Sequence, residues 1–182
     1  MQKKVIVWRN DLLPYSETFI REQVIHCHAW TPVLFGLREK AELDLNGLDV
    51  HVPDSKIPQF IWRMQLKAHQ MLNTMPKCFA RAFTQVRPRL VHAHFGLDAV
   101  TIWPVVKTLG LPLLVTLHGF DITIRPEWWE EGNGGPIARY YPQRLLRLAE
   151  EPLVHFTTVS DAIRSKAISY GIPPEKLTTS YI

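Results

Sequence analysis

Three stretches of this sequence join short apolar runs to residues that can bind, orient or move protons. The most concentrated is Leu117-His118-Gly119-Phe120-Asp121. The apolar run delivers His118 to its end, Gly119 permits a tight turn, and Asp121 is spaced to orient the imidazole. A satisfied structural histidine is the competing reading of the same residues. Upstream, Val91-His92-Ala93-His94-Phe95-Gly96 sets two imidazoles on one face of a strand and brings His94 to its end. Two histidines on one face suggest a metal, but a zinc site needs a third or fourth ligand. His118 or Asp121 could lie near, yet no partner is spaced to show it, and no metal is expected. The third stretch, W-R-N-D-L-L-P-Y-S-E-T-F-I at 8 to 20, runs into a helix start whose free N–H groups can hold an anion. Glu17 and Arg21 follow one turn apart, either as an ordinary pair on a solvated helix face or as part of a cleft.

Several chemistries are excluded by what the sequence lacks. No G-x-G-x-x-G or Walker-type loop occurs, which removes the usual dinucleotide and nucleoside-triphosphatase readings. No G-x-S-x-G elbow accompanies the histidines, and neither Cys27 nor Cys78 sits at a recognisable nucleophile turn, so covalent catalysis is unsupported. The net charge of +4 favours anionic partners: phosphates, acidic glycans, lipid headgroups or nucleic acid. A nucleic-acid role would rest on the pI near 9.2 alone, without a recognition-helix motif or a dense basic patch, and is not expected.

The residues just described need a scaffold, and the hydrophobic pattern supplies one. Short runs rich in β-branched residues alternate with longer segments of helical period, which predicts a doubly wound, mainly parallel α/β sheet of Rossmann-like type. Strands are predicted at 5–8, 32–36, 49–52, 90–94, 113–117 and 153–158, with a last one at 178–182. Helices are predicted at 16–26, 60–74, 77–86, 97–109, 137–150 and 160–170. Ser16 and Ser160 are N-cap candidates, each followed by an acid that suits the helix dipole, and Gly171 reads as the C-terminal glycine before Pro173. The stretch from His118 to Pro136 is longer than a strand-to-helix connection needs, which marks it as a functional or mobile loop.

A chain of 182 residues, 46% hydrophobic, suffices for one domain with a sizeable core. The apolar run Val5 to Trp8 is too short for a secretory leader, no stretch nears the length of a spanning helix, and the two cysteines form no disulfide framework. The expected location is the cytoplasm. From Ile57 to Phe83, Phe60, Trp62, Met64 and Met71 mix with Arg63, Lys67, Lys77 and Arg81, which suits peripheral contact with a membrane. Two amphipathic core-packing helices are the alternative, and Trp and Met at helical spacing favour it.

Taken together, S-E-T-F-I at 16 to 20, V-H-A-H-F-G at 91 to 96, T-L-H-G-F-D at 116 to 121 and V-S-D-A-I-R at 159 to 164 resemble the N-terminal domain of glycosyltransferase family 4. The likeness covers essentially the whole chain, down to G-I-P-P-E-K-L at 171 to 177, and is closest to bacterial exopolysaccharide transferases of the colanic-acid type. There S-E-T-F-I replaces the glycine-rich first loop of many relatives. The resemblance implies one half of a GT-B enzyme: residues 1–182 as the acceptor-side domain, followed in the family by a donor-binding domain. It implies retaining transfer from a nucleotide-sugar donor to a glycan or lipid-linked acceptor, with no cofactor or required metal. By the same resemblance His118 contacts the donor sugar and Asp121 fixes its loop with Gly119. Ser16 to Thr18 face the donor phosphates, His94, Glu17 and Arg21 line the acceptor cleft, and Ser160 lies at the rim. This chain alone is then expected to show little or no activity. A non-catalytic glycan- or phosphosugar-binding module is the alternative from another class.

Overall fold

The computed structural model describes residues 3–38, 43–52 and 58–181. In these residues seven strands form one sheet in the order β3-β2-β1-β4-β5-β6-β7, and every neighbouring pair is parallel. The strands are β1 (Lys4–Asp11), β2 (Thr31–Arg38), β3 (Val50–His51), β4 (Leu90–His94), β5 (Leu113–Leu117), β6 (Val154–Thr158) and β7 (Leu177–Thr179). Among the described residues eight helices connect them: α1 (Thr18–Ile25), α2 (Gln59–Met71), α3 (Lys77–Val86), α4 (Gly96–Thr108), α5 (Phe120–Thr123), α6 (Pro126–Glu130), α7 (Tyr141–Glu150) and α8 (Asp161–Tyr170). The order reverses between β1 and β4. In an open parallel sheet that reversal opens a crevice at the carboxyl ends of the strands, where the connections part to opposite faces.

Strand period two divides the side chains between the two faces. Ile6 and Trp8 of β1, Val33 and Phe35 of β2, Val91 and Ala93 of β4, and Leu113, Val115 and Leu117 of β5 enter the larger core. Phe79 and Phe83 of α3 close it, with the Trp8 ring edge-on to both at 5.7 and 6.3 Å. Val7 and Leu34 point the other way, into a smaller core with Leu12, Leu13, Ile20 and Val24 around α1. On this second face β4 and β5 turn polar towards their carboxyl ends: after Leu90 and Leu114 come His92, His94 and Thr116, continued by His118. Register places His94 beside Thr116 and Thr116 beside Thr157, so a polar stripe crosses three strands.

The predicted elements are present, with differences that have local causes. The last strand is only Leu177–Thr179, and Ile182 lies outside the described residues, as does Ile57 at the start of the amphipathic segment. The predicted loop after His118 contains α5 and α6. Its tryptophan Trp129 is buried against Tyr141, Phe120 and Trp128, so aromatic packing holds the backbone in short helices. Ser160 caps α8 as expected, accepting the Ile163 N–H at 3.2 Å, and Gly171 ends that helix with φ of 110°. Ser16 does not cap α1. It lies in a 3-10 turn, and α1 begins at Thr18 without a side-chain cap. Helix α2 packs only partly: Leu66 is buried and Trp62 stacks near Phe79, but Phe60, Met64 and Met71 are exposed, as is Leu72 just beyond its end.

Candidate active site at the exits of strands β1, β4 and β5

Strand β1 ends in a buried charge cluster. The Arg9 guanidinium is only 7% exposed, so each of its N–H groups needs a partner. Its Nε donates to Glu17 Oε2 at 2.8 Å, and a terminal nitrogen completes a two-point bond to the same carboxylate. The other terminal nitrogen donates to the His94 carbonyl at 2.9 Å and to Asp98. Asp98 also accepts the Asn10 N–H at 3.1 Å, which ties β1 to the first turn of α4. Burial raises both acids, Asp98 to about 7 against the pull of Arg9, and Glu17 also upward.

The exits of β4 and β5 are built from neutral imidazoles. His92 and His94 lie on one side of their strand, as period two requires, with ring centroids 4.3 Å apart. His94 Nδ1 is 3.1 Å from His118 Nε2, while its own Nε2 is buried without a partner. His92 Nε2 meets Thr116 Oγ1 at 2.7 Å. Burial lowers all three: His92 and His118 to about 4, and His94 well below its usual value. Arg9 and His92 add to the depression at His118, which is half-buried like His92, whereas His94 is buried. Its ring sits between Phe19 and Phe95, at centroid distances of 4.8 and 4.6 Å. Phe95 also receives the Arg9 guanidinium at 4.5 Å, so one aromatic ring separates the charge cluster from the imidazole. Phe95 has φ of 72°, a left-handed conformation that costs a bulky residue about 1–3 kcal/mol and is tolerated where the surroundings enforce it.

Asp121 organises this corner through backbone donors. The sequence suggested that it orients the imidazole; instead it accepts the N–H groups of Gly96 and Gly119, both at 2.9 Å, while His118 is held by His94. Gly119 has φ of 123°, which a side chain rarely adopts, and a Cβ on Gly96 would collide with the Tyr141 hydroxyl. That hydroxyl donates to the Asp121 carbonyl at 2.8 Å, locking α7 to the turn.

The other candidates separate. Glu17 and Arg21 do not pair, because burial commits Glu17 to Arg9. Arg21 bonds the Asp44 carbonyl at 2.7 Å and Glu22 on the surface. Ser16 and Thr18 are exposed at the start of α1, and Ser160 is half-buried at the β6 exit. His94 is 1% exposed and reaches the surface only through His118. Sequence reasoning did not single out Arg9, Asn10, Asp98 and Tyr141. A cation ending the run V-I-V-W was the available sign for Arg9, whereas its bond to an acid 89 positions away left none. Among the described residues, no group of three or more His, Cys, Asp or Glu is arranged to hold a metal.

Beside Arg9 lies a cleft of about 350 Å³, lined by Asn10, Gln70, Asn73, Thr74 and Thr101 and closed by Arg144. Its charges are compensated at the β1 side, where Arg38 pairs with Asp11 at 2.7 Å and Arg9 with Asp98. Amides and hydroxyls within a charge-paired wall suit a ligand rich in hydroxyl groups.

Among solved structures, HepE of Anabaena, in complex with UDP and glucose, matches all of this chain at 14% identity with a TM-score of 0.65. A glycosyltransferase from Rickettsia africae covers 99% of it at 14% identity and 0.60. WaaB, a lipopolysaccharide outer core galactosyltransferase, covers 98% at 11% and 0.53. The chain spans 44%, 43% and 45% of their respective lengths. These likenesses show the fold, a Rossmann-like half of a GT-B architecture. No curated protein matches the chain by sequence. The pattern that describes Glycosyltransferase Family 4 matches residues 49–181, and the chain belongs to that family.

Proposed function

We propose that this chain is the acceptor-side domain of a GT-B enzyme that transfers a hexose from a nucleotide-sugar donor to a hydroxyl of a glycan or lipid-linked acceptor, in cell-surface polysaccharide synthesis of the exopolysaccharide type. The observation that carries this reading is His118, held neutral in an aromatic slot at the β5 exit while two strands away the Arg9 cluster pairs its charges. A neutral imidazole can orient a sugar hydroxyl without drawing the donor phosphates into an ion pair at the wrong place. HepE's complex with UDP and glucose supports a nucleotide-sugar donor. In the proposed reaction the bond from the anomeric carbon to phosphate breaks, and the nucleotide leaves with the electron pair. The acceptor oxygen bonds that carbon, and its proton passes to the departing phosphate oxygen. Configuration is retained, no metal takes part, and the protein contributes position and charge stabilisation. Ser16 and Thr18 at the start of α1 would face the donor phosphates, and Ser160 the rim.

Peripheral contact with the inner face of the cell membrane belongs to this proposal. Residues 55–97 contain seven Lys or Arg and no Asp or Glu, and α2 in that span exposes Phe60 and Met64. Among the described residues, no helix is long and apolar enough to cross a membrane. The test is an assay of the longest natural product containing this chain against a panel of nucleotide-linked hexoses, with the 182-residue chain alongside. We expect turnover by the long form only, and a loss of at least about 100-fold in kcat/KM for His118→Ala, measured at a temperature where an unfolding curve shows the variant folded. Glycan binding without donor turnover in either form would favour a binding module instead.

A further inference from the structure

His94 links the charge cluster to His118 without carrying charge itself. Its carbonyl accepts an Arg9 N–H at 2.9 Å, and its Nδ1 lies 3.1 Å from His118 Nε2. The ring also packs against His92, whose own Nε2 is committed to Thr116 Oγ1 at 2.7 Å. The remaining nitrogen of His94, Nε2, is buried and has no hydrogen-bond partner among the described residues. Burial, the neighbouring histidines and Arg9 all hold the ring neutral, so the charged form, which would donate from both nitrogens, is not available at neutral pH.

A neutral imidazole has one N–H and one bare nitrogen, so the contact between the two rings allows two arrangements. In the first, both rings carry the proton on Nε2: His118 donates to His94, and the His94 Nε2–H is shut away from any acceptor. In the second, both carry it on Nδ1: His94 donates to His118, and the buried Nε2 is a bare nitrogen. The arrangements differ in what is left unpaired inside the protein. A buried N–H without an acceptor forfeits the hydrogen bond it made to water, and orphaned donors are rarer in proteins than under-used acceptors. A free histidine side chain prefers its proton on Nε2, so the second arrangement is one that the protein has to impose on both rings.

We infer that His94 is a positioning residue for His118: through the contact between the rings it holds both in the Nδ1–H form, so that His118 offers a bound molecule an N–H and not a bare nitrogen. His118 Nδ1 bonds no other described residue, and it keeps access to solvent. This deepens the transfer reading above, on which its functional consequence rests. A ring that can only donate meets a sugar hydroxyl at its oxygen and leaves the hydroxyl proton to point elsewhere. A histidine that never touches substrate thereby decides which partner its neighbour can accept.

The test reads the tautomers directly. Two-bond 1H–15N correlation spectra of the 15N-labelled chain at pH 7 distinguish the protonated from the bare nitrogen of each ring, and loss of signals in His94→Leu and His118→Ala assigns them. Both histidines are expected in the Nδ1–H form. His94→Leu should return His118 to the Nε2–H form, whereas His94→Asn, whose amide N–H can stand where Nδ1–H stood, should keep it. In the longest natural product His94→Leu should lower kcat/KM at least about tenfold and His94→Asn less than about threefold, each measured where an unfolding curve shows the variant folded. The wild-type spectrum decides even where a variant fails to fold: His118 in the Nε2–H form overturns the inference and leaves the transfer reading intact. Equal losses of activity in the Leu and Asn variants also overturn it and make His94 a packing residue only. No turnover by the wild-type long form with any donor, beside an Nδ1–H signal from His118, would overturn the transfer reading and leave the hold of His94 on its neighbour standing.

Discussion

The exits of β1 and β5 lie two strands apart on one sheet edge and are stabilised in opposite ways. At β1, charges are buried and satisfy one another: Arg9 spends four of its five N–H donors on Glu17, Asp98 and the His94 carbonyl. At β5, burial has removed the charge instead, and His118 stands half-buried as a neutral ring that, among the described residues, hydrogen-bonds only to another neutral ring. The first arrangement holds the S-E-T-F-I turn against the sheet and is structural. The second leaves hydrogen-bonding capacity open and is the one suited to a substrate. A buried ion cluster and a reactive site can both look like charged residues at a strand end, and the distinction lies in which groups are already spent.

Breaking the β1 cluster should have the largest effect. Arg9→Met strands two buried carboxylates and is expected to lower stability by about 3–5 kcal/mol at pH 8 in urea unfolding. Because burial raises Asp98 from 3.8 to about 7, its native form binds more protons than its unfolded form across that range. Removing Arg9, which pulls the carboxyl down against burial, raises it further, so on acidification to pH 5 the variant gains more than the wild type and part of the loss is restored. The imidazole side has the opposite sign. His92 falls from 6.5 to about 4 on folding, so the unfolded chain binds the extra proton, and its contribution is lost as pH drops through that window. Between pH 7 and pH 5 the wild type should lose about 2 kcal/mol more stability than His92→Gln. The smallest effect sharpens the contrast at the helix starts. Ser160→Ala should cost about 1 kcal/mol by removing the α8 cap, while Ser16→Ala should change stability by less than about 0.5 kcal/mol. Equal losses in thermal melts of the two variants would show that α1 is capped after all.

Much of the scaffold was legible because it rests on periodicity. The alternation in V-H-A-H placed both imidazoles on one face, and the apolar runs located six of the seven strands to within a few residues. What escaped depended on contacts between distant segments. The spacing of Glu17 and Arg21 is right for a helical pair, but Arg9 lies closer and is buried, so desolvation decides the partner. Asp121 follows His118 by three positions, yet the backbone N–H groups of Gly96 and Gly119 take its oxygens. Nor could the sequence show that Met71 and, just past the end of α2, Leu72 stay exposed, because core and exposed methionines carry the same helical spacing.

NMR titration of the histidine side chains in the 15N-labelled chain asks whether the β5 exit presents an uncharged imidazole beside a paired ion cluster. His118 is expected to stay neutral down through pH 5 and to titrate at about 4. Titration of His118 near 6.5 would contradict it, since the ring would then carry charge under mildly acidic conditions and Arg9 would not be shaping its environment.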